Sequence, residues 1–103
     1  MNDNRKPRRQ GDCILIPVLT NLVSPSIKLK ADNVLLYGET SGHKHAVVDG
    51  EVYEDNSGTL WIKADKETKV VHEEHGTQPL ETGFWQMIRQ REFDERNPRF
   101  VID

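Results

Sequence analysis

The recurrence of short β-type runs, each closed by turn-forming residues, most restricts how this chain can fold. Such runs occupy residues 13–18, 26–30, 34–39, 45–48, 51–54, 59–63, 69–72, 83–93 and 99–102. Turn signals fall between them roughly every 8–12 residues, the spacing of a sandwich or barrel. No segment holds a sustained apolar period of 3.6, so helices are not expected as main elements. At 103 residues the chain is one domain. The expectation is an all-β fold, a barrel or sandwich of about seven to nine short antiparallel strands.

Local chemistry assigns the turns. Gln10-Gly11-Asp12 opens the first strand, in which Pro17 marks an edge or a terminus. Asp49-Gly50 reads as a tight turn between two β runs, and residues 55–58 (Asp-Asn-Ser-Gly) as the next. Residues 64–68 read as a polar connection, and 92–97 as a short helical turn ended by Pro98. Trp61, Trp85 and Tyr53 are candidate core aromatics.

Charge divides the chain. The net charge is −3, yet Arg5, Lys6, Arg8 and Arg9 stand against Asp3 alone in residues 1–10, leaving −6 for the remainder. The reading is a flexible basic arm (1–10) on an acidic β domain (11–103). Such a body does not grip nucleic acid, and the arm alone would make only weak, salt-dependent phosphate contacts. The single cysteine, Cys13, sits in an apolar run, so no disulfide framework or thiolate cluster exists and a reducing, cytoplasmic setting is expected. No apolar run reaches the length of a membrane span, and no secretory leader is expected.

Function is expected to start at the histidines. All four lie in two tight pairs, His43-Lys44-His45 and His72-Glu73-Glu74-His75. Residues two apart on a strand share a face, so His43 and His45 can present two imidazoles side by side. His72 and His75, three apart, need a bend to do the same. The candidate metal ligands are His43, His45, His72 and His75, with Glu39, Glu73 or Glu74 as a carboxylate. Zinc, iron, nickel, manganese and copper all suit nitrogen and oxygen donors of this kind. A metal-free protein-interaction module, recruiting a partner through a strand edge or the arm, is the alternative. A third reading is a small phosphodiester hydrolase using two histidines as acid and base, with Lys44, Arg89 or Arg91 on the phosphate. The residues do not decide between an enzyme and a binding or accessory protein.

Two resemblances follow. Gly38, four residues, then His43-Lys44-His45, with Asp49 and Gly50 after it, resembles part of the first cupin motif. It departs in spacing and in carrying Asp49 where a cupin has glutamate. In the region of the second motif, Pro79 and Gly83 have a different spacing and no histidine follows. A cupin-like barrel is what this resemblance implies. Over more of the chain, the frame Gln10-Gly11-Asp12, Gly38-Glu39, Gly42-His43-x-His45, Val71-His72-Glu73-Glu74-His75 and Gln90-Arg91-Glu92-Phe93 resembles small bacterial and phage β proteins of unknown function.

Overall fold

The computed structural model describes residues 3–38, 42–90, 93–94 and 97–100, and its regular elements are strands apart from one 3-10 turn at Thr20–Leu22. Ten strands are present among the described residues: β1 (Arg8–Gln10), β2 (Cys13–Val18), β3 (Lys28–Leu29), β4 (Val34–Tyr37), β5 (Lys44–Glu54), β6 (Leu60–Val71), β7 (Gln78–Pro79), β8 (Gly83–Arg89), β9 (Phe93–Asp94) and β10 (Asn97–Phe100). Eight form one antiparallel sheet in the order β1-β2-β8-β6-β5-β3, with β4 on β5 and β7 on β6. β9 and β10 make a separate ribbon, so Phe93, Asp94 and Asn97 are extended, not helical. The sheet is not closed into a barrel, because its end strands β1 and β3 are not hydrogen-bonded to each other. Glu39, Arg91 and Glu92, like the end of the last expected run beyond Phe100, lie outside the described residues.

The centre of the sheet is the β5–β6 hairpin, which is far longer than the sequence signals suggest. Its turn lies at residues 55–59, as expected: the Asp55 carboxylate accepts the Ser57 and Thr59 amides and the Trp61 indole N–H. Asp49-Gly50, however, is not a turn, and residues 64–68 are not a connection. Both lie inside continuous strands. The pairing steps from Val48↔Lys69 to Gly50↔Ala64, so residues 65–68 of β6 bulge opposite the single residue Asp49. Asp49 takes a left-handed φ of 58°, which satisfies its turn propensity within a bulge. Buried Thr68 plugs the corner, its hydroxyl accepting the Asp65 amide at 2.7 Å and donating to the Asp49 carbonyl.

The bulge also flips side-chain parity along β5. Val47 and Val52, five apart, both reach the core, where a regular strand would place them on opposite faces. One end of the hairpin then pairs with β8 and β3, the other with β4 and β7. A single core results, joining Leu15, Leu35, Val47, Val52, Ile62, Val70, Leu80 and Trp85. Gly50 is required where the strands approach: a Cβ there would lie 2.6 Å from Thr68 Cγ2 and 2.9 Å from its Oγ1. We expect Gly50→Ala to cost about 2 kcal/mol through this overlap. An unchanged urea midpoint would show that the corner opens freely.

The N-terminal boundary also moves. Residues 8–10, assigned to the arm by their charge, form β1 and pair with β2 in the register Arg8↔Leu15 to Gln10↔Cys13. Arg5 precedes them at a fixed place. Its guanidinium donates to the Phe84 carbonyl at 2.9 Å and the Val18 carbonyl at 3.0 Å, pairs with Asp3, and lies 5.2 Å from the Trp85 ring centre. A planar fork of donors can bridge two strand ends in this way, so positive charge here ties chain down instead of extending it. Pro17 lies past the last β1–β2 pair, on the side of β2 that β1 leaves open. No helix among the described residues is long and apolar enough to cross a membrane.

Candidate functional site

Three chain connections meet at one end of the sheet. The first is the two-residue turn between β1 and β2, Gly11-Asp12. The second joins β4 to β5 and delivers His43 and His45. The Gly38 amide donates to the His43 carbonyl at 2.7 Å, and Leu36 pairs with His45. The third follows β6: Ala46 pairs with Val71, which brings His72 beside His45. Together they line an open cleft of about 400 Å³ formed by Arg9, Gly11, Asp12, Gly38, His43, His45, His72, Glu74 and His75.

All four histidines expected at the site are in it. Ring centres lie 4.3 Å apart for His45 and His72, 4.7 Å for His72 and His75, 5.6 Å for His43 and His72, and 6.1 Å for His45 and His75. His45 lies within β5 and His43 just before it, and both line the cleft. His72 and His75 share the cleft because β6 ends at Val71 and the chain turns. The His72 ring holds that turn together: its Nδ1 accepts the amides of Glu74 at 3.0 Å and His75 at 3.1 Å.

His45 is the anchor, only 5 % exposed. Its Nδ1 lies 2.8 Å from Gln10 Oε1. The orientation of the Gln10 amide follows from its other partners, since its Nε2 donates to the carbonyls of Val70 at 3.0 Å and Gly76 at 2.9 Å. Its oxygen must therefore face His45 and accept a proton from Nδ1. His45 is thus the tautomer with hydrogen on Nδ1 and a lone pair on Nε2. Burial, and then the neighbouring His72 and His75 rings, push its pKa down to about 4, so it is neutral at pH 7.

His72 is held in the opposite sense. Its Nδ1 lone pair is engaged by two backbone N–H groups, so its Nε2 carries the hydrogen. Around these two rings, His43 Nδ1 lies 3.3 Å from Glu74 Oε1, and the Glu73 carboxylate accepts the Lys44 amide at 3.0 Å. That bond, above all other causes, holds the Glu73 carboxyl below its ordinary pKa. His75 lies against Gly11, whose φ is +57°, and a Cβ on Gly11 would sit 2.6 Å from His75 Nε2. Among the described residues no three His, Cys, Asp or Glu side chains form a ready-made ligand set. The four rings share a cleft without all pointing lone pairs at one place, and His72 is the clearest reason.

Reading the histidines alone misses Gln10, Gly11, Asp12 and Arg9. Gln10-Gly11-Asp12 is visible in the sequence as a turn and as part of the resemblance frame, and nothing local tells a turn glutamine from a buried one. Lys44 and Arg89, candidate phosphate partners, are not among the cleft-lining residues, whereas Arg9 is. Cys13 is fully buried and its thiol is pushed up to about 12 by desolvation, which removes it as a nucleophile.

No curated protein and no solved structure matches the chain. A family described as a domain of unknown function (DUF8820) matches residues 9–90, a span that holds Arg9, Gln10, all three cleft-forming connections and all four histidines, and the chain belongs to that family.

Proposed function

We propose that this is a small metal-binding β protein whose histidine cleft holds one divalent transition metal in a binding or accessory role. The observation that carries the reading is His45: buried, neutral at pH 7, its Nδ1–H held by Gln10 and its Nε2 bearing a lone pair. A ligating histidine is oriented in this way, through a hydrogen bond from its other nitrogen. His75, His43 and Glu74 line the same cleft and complete a nitrogen-rich donor pool suited to zinc, nickel, cobalt or iron. A cytoplasmic setting belongs to the same reading, supported by the lone buried thiol of Cys13.

Untagged protein loaded with zinc or cobalt and desalted should carry close to one equivalent by plasma mass spectrometry. In the His43→Ala, His45→Ala double variant, metal affinity should fall at least about tenfold. Equal metal content in the two proteins would remove the reading.

A second reading is favoured by the complementary tautomers of His45 and His72. A bare Nε2 and an Nε2–H on rings 4.3 Å apart are what a metal-free phosphodiester hydrolase requires as base and acid. The low pKa of His45 makes it a weak base at neutral pH, which is why the metal reading stands first. Hydrolysis that survives a chelator would reverse the order.

A further inference from the structure

The end of β2 away from the histidine cleft carries a second built feature. The strand starts at Cys13, beside the Gly11-Asp12 turn, and ends at Val18, roughly 17 Å farther along. There the N-terminal segment is anchored by one side chain. That of Arg5 is only 14 % exposed, while its neighbours Asn4, Lys6 and Pro7 are exposed. Continuing the β1–β2 register would set Pro7 against Ile16 and Lys6 against Pro17, and neither proline has an N–H to donate. The ladder therefore stops at Arg8, and Arg5 fastens the segment before it through its guanidinium. The place it fills is shaped for a planar cation. Nη1 donates to the Phe84 carbonyl and Nη2 to the Val18 carbonyl, and the guanidinium carbon lies within cation–π reach of the Trp85 ring. Trp85 is fully buried, and its indole N–H is held by the Glu81 carbonyl at 2.8 Å, which fixes the ring. Gly83, at a φ of +129°, leaves the room: a Cβ there would lie 2.5 Å from Arg5 Nη1 and 2.9 Å from its Cζ.

We propose that Val18, Gly83, Phe84 and Trp85 form a socket for an arginine side chain, that Arg5 fills it in cis, and that an arginine of another protein takes it in trans by displacing Arg5. The socket offers two carbonyls and a ring face but no charged side chain, so its occupant brings its own counter-charge. Arg5 does so through Asp3, whose carboxylate accepts the Arg5 Nε at 2.8 Å and its amide at 3.0 Å. The partner that fits is thus an extended segment bearing an arginine with a carboxylate two residues before it. An occupant held by its side chain leaves without breaking a strand pair. Residues 11–103 carry a net −6, which draws a basic segment towards this surface. The cis arm competes at an effective concentration on the order of mM, so weak ligands are kept out and a segment with further contacts is admitted.

The test uses the full chain carrying Arg5→Ala, which empties the socket. It is titrated with a synthetic peptide of residues 1–7 and, separately, with the same peptide carrying Arg5→Lys. The Trp85 indole N–H signal in proton–nitrogen correlation spectra reports occupancy at the site itself. Expected is a saturable shift with the arginine peptide and an affinity at least about tenfold lower for the lysine peptide, which has the charge without the planar fork. The wild-type chain should bind the arginine peptide at least about tenfold more weakly than Arg5→Ala, because its own arm competes. No saturable shift in Arg5→Ala overturns the proposal. So do equal affinities for the two peptides, which would reduce the site to general charge attraction, and equal affinities of the two chains, which would place the peptide elsewhere. If Arg5→Ala does not fold, the Arg5→Lys chain, which keeps the charge and the stem, is titrated under the same criteria.

Discussion

Gln10→Leu is expected to destabilise the fold by about 3 kcal/mol and, on the proposed metal-binding reading, to weaken metal binding by about ten- to a hundredfold. The side chain is 2 % exposed and holds three partners at once: the Val70 carbonyl near the end of β6, the Gly76 carbonyl in the connection after it, and the Nδ1 of His45. Leucine fills similar volume but leaves the buried His45 N–H without its acceptor and removes the donor shared by the Val70 and Gly76 carbonyls. Unmade bonds of this kind cost more than the net gain from a made one. The same change frees His45 to rotate or exchange tautomers, so affinity falls even though no ligand is lost. Urea denaturation of metal-free protein reads the first effect and metal titration the second. A variant within about 0.5 kcal/mol of wild type would show that the Gln10 network does not hold the three connections together.

Metal-free protein should lose about 3 kcal/mol of stability as the pH falls from 6.5 to 4. The folded pKa of His45, about 4, lies below the ordinary 6.5, so the folded state binds fewer protons than the unfolded chain between those values. Stability linked to this residue is complete above pH 6.5, is lost progressively as the pH drops through the window, and changes no further below about 4. His45→Gln removes the titrating group and should flatten that part of the profile, which urea midpoints across the range will record. A chelator is included, since metal bound as proposed would carry its own proton dependence. Identical slopes for wild type and variant would mean that His45 protonates in the folded state without penalty, and its burial would then have no electrostatic consequence.

Much of the architecture was legible in the chain because strand signals are local. Cys13–Val18 was readable to the residue, since its β-branched run lies between a glycine turn and a proline-bearing end. The β5–β6 turn was readable because Asp55, Asn56, Ser57 and Gly58 satisfy one another within a few residues. Asp49-Gly50 misled for an instructive reason. A residue that tolerates positive φ serves a hairpin turn or a bulge equally well, and only the partner strand decides which. Thr68, nineteen positions away, is that decision, and no window of sequence contains both.

The same division runs through the site. The two clustered histidine pairs follow from the sequence alone, and His43 and His45, two apart, both line the cleft. That His72 and His75 join them depends on where β6 stops, which the pairing of Val71 with Ala46 sets. The tautomers are further still from the sequence, because each is set by a hydrogen bond: His45 by a glutamine 35 residues earlier, His72 by amides two and three residues later. Positive charge in the first ten residues suggested a free arm, yet Arg5 and Gln10 are among the most closely tied side chains, since both meet carbonyls that only the folded sheet presents. By itself the sequence determined the strand content, the central hairpin turn and the identity of the four rings, because periodicity and turn chemistry act over a few residues. Tertiary structure alone decided the corner at Asp49, the convergence of three connections on one cleft and the proton each ring carries, because these rest on partners far apart in the chain that folding brings within 3 Å or so of one another.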